Sequence, residues 1–116
     1  MIGFRTGVLV AALFLASPAL AHHGWSEYDS EHTLTLTGRI LESGYEHPHG
    51  HIRLESKDKT WTVVLAPPSR LERRGVPPEA LKPGATVTVV GYPNRNKPDE
   101  MRAERIIVDG RTAELR

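Results

Sequence analysis

Histidines are the residues of this sequence best suited to chemistry. The chain has six histidines and no cysteine. Five of them form two clusters, which are His22 with His23, and His47, His49 and His51. The second cluster has alternate spacing, so an extended backbone would place its three imidazoles on one face, opposite the core face of the strand that follows. The remaining residue, His32, is expected to lie on the surface.

Two imidazoles at this spacing can share a metal ion at a metal–nitrogen distance of about 2 Å. The sequence therefore predicts a metal site that uses some of these five histidines, with copper favoured and zinc second. The competing interpretation is that the histidines are solvated surface residues. Trp25 and Tyr45 flank the two clusters and are candidates to shield a metal.

The first 21 residues predict an exported protein. Arg5 precedes an apolar run from Gly7 to Ala16, and the small residues that end at Ala21 are typical of a signal-peptidase site. The apolar run is too short for a membrane-spanning helix, which needs about 20 residues. We expect cleavage after Ala21, a periplasmic or secreted location and no transmembrane segment after cleavage; the alternative is an uncleaved anchor.

Cleavage after Ala21 would give His22 a free α-amine beside its own imidazole. These two nitrogens form a chelate, and one further histidine from the second cluster would complete an arrangement that resembles the histidine-brace copper sites of periplasmic copper carriers and copper monooxygenases. A second arrangement uses the amine, the intervening amide and the imidazole of His23. Both favour Cu(II), which heads the divalent affinity series for nitrogen ligands. Affinity should fall as pH drops through about 6.5, because imidazole must be neutral to bind.

Charge and composition exclude several other functions. The chain has 15 Lys+Arg and 14 Asp+Glu, and removing residues 1–21 removes only Arg5, so the remainder is formally neutral. A neutral domain is poorly suited to nucleic acid. Without cysteine there is no disulfide or thiolate site, and Met101 alone after the signal excludes a methionine-rich Cu(I) site. We expect a monomeric binding protein rather than an enzyme, with a metal ion and a periplasmic protein as partners.

Alternating apolar residues predict an all-β domain over residues 33–116, preceded by a loose arm at 22–32. A long first strand with a bend or bulge at Gly38 is followed by a hairpin of two strands. A short helix then begins with a capping box at Ser69 and Glu72 and stops at Gly75. Further strands follow, with a two-residue turn at Asp109–Gly110. This order predicts a five- to six-stranded Greek-key barrel of the OB type with its helix between strands 3 and 4.

Three arginines of the predicted helix, Arg70, Arg73 and Arg74, have the spacing of one helix face. They could bind an anionic ligand or lipid head group. The alternative is a solvated helix face whose cations lie near the negative end of the helix dipole.

The mature chain resembles a family of small exported bacterial proteins of unknown function. The shared segments are HHGWSEYD at 22–29, a Pro-His pair before the second strand, APPSR at 66–70 and EMRAERI at 100–106. The resemblance implies export and an OB-like fold, and it implies little biochemistry. Two other functions remain open: an OB-type ligand- or protein-interaction domain without metal, and a copper oxidase of the monooxygenase type.

Overall fold

The computed structural model describes residues 24–116. The predicted signal peptide, His22 and His23 lie outside the described residues. The elements, in chain order, are a 3-10 turn at Trp25–Glu27, β1 (Leu34–Gly44), β2 (His51–Ser56), β3 (Thr60–Val64), α1 (Pro68–Arg73), a 3-10 turn at Pro78–Leu81, β4 (Thr86–Pro93), β5 (Glu100–Val108) and β6 (Arg111–Glu114).

Five of the six strands close into a barrel. β1 pairs antiparallel with both β2 and β4, β2 pairs antiparallel with β3, and β4 pairs antiparallel with β5. A parallel pairing of β3 with β5 completes the ring. β6 extends the sheet beyond β5, and α1 lies between β3 and β4 in sequence. The predicted all-β barrel of OB type is therefore confirmed, with β6 as one strand added to the closed five.

The core follows the predicted alternation of the strands. Ile52, Leu54 and Val63 are fully buried on the inward faces of the β2–β3 hairpin. β1 is irregular between Ile40 and Glu42, and not at Gly38 as predicted. Gly38 has a different role: a Cβ there would collide with the carbonyl oxygen of Glu55 on β2, so the two backbones approach too closely for any side chain.

The short helix differs from the prediction at its start. α1 begins after Pro67 with no side-chain cap, so the predicted capping box at Ser69 and Glu72 is wrong. Pro68 at the first helical position provides the start instead, because its fixed φ suits a helix. Gly75, at φ +83°, ends the helix as predicted. Within residues 24–116, no helix is long and apolar enough to cross a membrane.

The described part of the N-terminal arm is docked on the barrel, and not loose. The amide of Asp29 donates to the carbonyl of Pro93 at 2.9 Å, and the amide of Arg95 donates to the carbonyl of Glu27 at 2.9 Å. Tyr28 pairs with Asn94 in an isolated antiparallel bridge. These contacts attach the arm to the end of β4 and the loop that follows it.

Candidate functional site

A small cleft lies between the docked arm and the outer face of the barrel, where β3 pairs with β5. Its volume is about 140 Å³. We call it the arm cleft, and it is lined by Glu27, Tyr28, His49, Val64, Lys97, Glu100 and Arg102. It brings together a histidine, two carboxylates and two cations, with the charges balanced.

Arg102 is the central side chain of the arm cleft. It is only 6% exposed although it lies on the opposite face of β5 from the core residues Met101 and Ala103. The Trp25 ring covers it, with the guanidinium carbon 4.3 Å from the ring centroid. Burial lowers the pKa of the Arg102 guanidinium, chiefly because the charged form loses water. The arm thus creates a desolvated cation on the outside of the barrel.

His49 is in contact with that cation. Its Nε2 lies 3.3 Å from Nη2 of Arg102. Guanidinium nitrogens only donate, so in this contact Nε2 of His49 is the acceptor and its ring proton belongs on Nδ1. The contact therefore favours the neutral imidazole, which is the form that binds metal ions.

Trp25 packs the arm against the barrel through contacts of its ring with two arginine side chains. Its ring contacts both Arg102 and Arg116, whose guanidinium carbons are 4.3 and 4.4 Å from the ring centroid. Tyr92 meets the same ring edge-on at a centroid distance of 6.2 Å. Tyr45, the other predicted shield, lies elsewhere: its hydroxyl donates to the carbonyl of Val76 at 2.6 Å. Of the two aromatics, Trp25 is the one that stacks on Arg102, a lining residue of the arm cleft.

A hydrogen-bonded network holds the other side of the arm cleft. The hydroxyl of Tyr28 donates to Oε2 of Glu100 at 2.6 Å, and Nδ2 of Asn94 donates to the same oxygen at 3.2 Å. Burial, followed by the Glu100 carboxylate, raises the pKa of Tyr28 far above its usual value. Tyr28 therefore stays protonated and remains a donor.

Replacing Tyr28→Phe is expected to lower the free energy of unfolding by about 1–2 kcal/mol, because Glu100 loses a buried donor. The folded-state pKa of Tyr28 is raised, so the contribution of its hydroxyl is full below about pH 10 and declines as pH rises above that value. Urea unfolding at neutral and alkaline pH would measure both effects. If the Tyr28→Phe variant lost as much stability above about pH 10 as the wild-type protein does, this role for Tyr28 would be contradicted.

The three histidines of the second cluster do not lie on one extended strand, which the predicted shared face assumed. Residues 45–50 form a loop, with a bend at His47 and Pro48 and a cis peptide between them. Strand pairing begins only where the amide of Gly50 donates to the carbonyl of Ala66 at 2.9 Å. His47 is exposed, His49 lines the arm cleft, and the His51 ring packs over Gly44.

Within the part of the chain that the structure describes, no three His, Cys, Asp or Glu side chains are grouped closely enough to hold a metal ion. His32 is a surface residue, as predicted, and its Nδ1 lies 2.6 Å from Oδ2 of Asp29. Hydrogen bonds from the Glu31 amide and His32 lower the pKa of Asp29.

Trp25 and His49 contact the same side chain. The Trp25 ring stacks on the guanidinium of Arg102, and Nε2 of His49 lies against the same group. Sequence reasoning missed Arg102, because the alternation of β5 marks it as an exposed residue.

The closed barrel, its strand order and its docked arm define an OB-type domain with a polar cleft on its outer face. Within this class, the chain belongs to DUF6152, a family of unknown function whose model matches residues 10–101. The predicted membership of a family of unknown function is confirmed. No curated protein matches the chain.

Two of the solved structures that resemble the fold are structures of TiaS. One is described as the TiaS–tRNA(Ile2)–ATP complex, with a TM-score of 0.52 and 22% identity over 77% of this chain. The other is a ZRD-deleted mutant of TiaS in complex with agmatine, also at a TM-score of 0.52 and 22% identity, over 76% of this chain. The match spans 20% and 25% of those proteins. At this identity the likeness shows the barrel fold alone.

Proposed function

We propose that this protein is exported, cleaved after Ala21, and binds Cu(II) in the periplasm through the α-amine and imidazole of His22 together with His49. Its role would be metal capture, buffering or delivery. The observation that carries the proposal is the docking of Trp25 on Arg102, the residue that also contacts His49. This contact supports the proposal because Trp25 follows His22 by three residues and shares the Arg102 side chain with His49.

The chemistry of the arm cleft supports a nitrogen-bound divalent cation. His49 is half-buried, and its contact with Arg102 uses Nε2 as an acceptor, which is the role that this nitrogen would also have toward a metal. Glu27 and Glu100 line the same cleft and offset the charge of Lys97 and Arg102. Three nitrogen donors favour Cu(II) over Zn(II).

Metal binding requires one local change. The lone pair of Nε2 faces Nη2 of Arg102, so the guanidinium must give up this contact when a metal takes it. A guanidinium and a divalent cation also repel each other at short range. We therefore expect Arg102 to move outward, toward the Glu27 carboxylate that lines the same cleft.

Replacing His49→Ala is expected to weaken Cu(II) binding by at least about tenfold, the effect of losing roughly 1.4 kcal/mol of binding energy. His47→Ala is the matched control, because His47 is exposed in the same loop and lies outside the arm cleft. The measurement is a competitive Cu(II) titration with electron paramagnetic resonance on a chain that begins at His22. Equal affinity and an unchanged spectrum for the His49→Ala variant would overturn the assignment of His49.

A further inference from the structure

A second cleft lies away from the arm. Its volume is about 740 Å³, within the usual range for small-molecule sites. It separates the end of α1 from the β5–β6 turn, and we call it the helix–hairpin cleft. Its lining residues are Arg73, Arg74, Gly75, Val76, Pro77, Ala80, Val108, Asp109, Arg111, Thr112 and Ala113. It shares no residue with the arm cleft.

The base of the helix–hairpin cleft is apolar and is formed by residues of the hydrophobic core. Val76 is 2% exposed and Ala113 is 9% exposed, and both belong to the hydrophobic core. Ala80 and Val108 are partly buried and pack against that core. An apolar group that enters the cleft would therefore meet side chains already fixed by the fold, so little ordering would oppose its binding.

The rim of the helix–hairpin cleft carries three arginines and a single carboxylate, Asp109. Nη1 of Arg74 donates to the carbonyl of Glu114 at 2.8 Å. Arg73 makes one long contact, 3.5 Å from Nη1 to the carbonyl of Ser69. Since a guanidinium has five N–H donors, both keep donors for a ligand. Of the three arginines in the predicted helix-face patch, Arg73 and Arg74 line this cleft. Arg70 does not line it, and its Nη1 donates to the carbonyl of Leu115.

Arg111 supplies a cation from the opposite wall. The predicted turn at Asp109–Gly110 is present, with φ values of 50° and 78°, and it reverses the chain directly before Arg111. Nη2 of Arg111 lies 3.9 Å from the position that a Cβ on Gly75 would occupy. Arg111 belongs to β6, so it adds a third cation to the two that the end of α1 contributes.

From these features we infer that the helix–hairpin cleft binds a small organic carboxylate with an apolar body. The guanidinium groups of Arg73 and Arg111 would hold the carboxylate from two walls, and the base formed by Val76 and Ala113 would hold the apolar body. Guanidinium suits a carboxylate because its planar fork can donate two parallel hydrogen bonds. Because the site is a concave cleft, we expect its occupant to be a small molecule free in solution and not a membrane surface.

Octanoate is the probe for this site, with 1-octanol and inorganic phosphate as partial ligands. In titrations of the complete protein followed by amide NMR, octanoate is expected to shift the signals of Val76 and Ala113 and to bind at least about tenfold more tightly than either partial ligand. Arg111→Gln should weaken octanoate binding by about tenfold. Arg53→Gln, which changes an exposed arginine on β2, should leave it unchanged.

Several outcomes would overturn the inference. They are equal binding of 1-octanol and octanoate, equal effects of Arg111→Gln and Arg53→Gln, and no saturable octanoate binding. Binding to phosphatidylglycerol vesicles without binding to free octanoate would identify a membrane surface instead. Ala80→Phe places a bulky side chain on the wall of the cleft, and if that variant retains the fold by circular dichroism, unchanged octanoate affinity would also overturn the inference.

Discussion

A chain that begins at His22 is expected to bind Cu(II) at least about a hundredfold more tightly than the same chain with Gly-Ser-Gly-Ser ahead of His22. The α-amine and imidazole of one residue reach the metal together, so the second nitrogen binds at a high effective concentration. The extension removes the amine and leaves every side chain in place. A competitive Cu(II) titration gives the affinities, and electron paramagnetic resonance shows whether nitrogen coordination changes.

Two variants of the chain that begins at His22 separate the arrangements that the sequence leaves open. His23→Ala preserves the amine and imidazole of His22, so it should leave Cu(II) affinity unchanged if His49 completes the site. It should weaken binding strongly if the amine, the following amide and the His23 imidazole form the site. Equal affinity and equal spectra with and without the extension would contradict both arrangements. A result of that kind would also leave the inference about octanoate standing, because the two clefts share no residue.

Replacing Gly91→Ala is expected to lower the free energy of unfolding by about 3 kcal/mol or more. Gly91 is buried on β4, and a Cβ there would collide with the carbonyl oxygen of Arg102 on β5. The register of β4 and β5 shifts at this position, between Val90 and Gly91. Backbone atoms cannot rotate away as a side chain can, so one strand must move. Urea unfolding followed by circular dichroism measures the loss.

Gly110→Ala is the control for the Gly91 prediction. Gly110 has φ +78° and no atom within 4 Å of an added Cβ. Its replacement should therefore lower the free energy of unfolding only by the cost of a left-handed backbone for alanine, about 1–2 kcal/mol. Gly91→Ala should also change Trp25 fluorescence, because Trp25 stacks on the side chain of Arg102. Equal urea midpoints for the two variants would show that β4 and β5 tolerate the added methyl group.

Local sequence patterns were sufficient to predict much of the barrel. Ile52 and Leu54 alternate with polar residues, and such alternation has one arrangement that buries the apolar side chains. Asp109–Gly110 and Gly75 mark the turn and the helix end, because positive φ values favour those residue types. Each of these signals acts over a few neighbouring residues, so each can be read without the rest of the fold.

The candidate site could not be predicted to the same extent. His47, His49 and His51 alternate like strand residues, but β2 begins only at His51, because pairing depends on where the loop meets the end of β3. Arg102 alternates like an exposed residue and is buried only because Trp25, 77 positions earlier, covers it. The sequence by itself determined which residue types could do chemistry and which strands form the barrel. Only the tertiary structure decided that His49 lies beside the arm, because that placement depends on contacts between residues far apart in the chain.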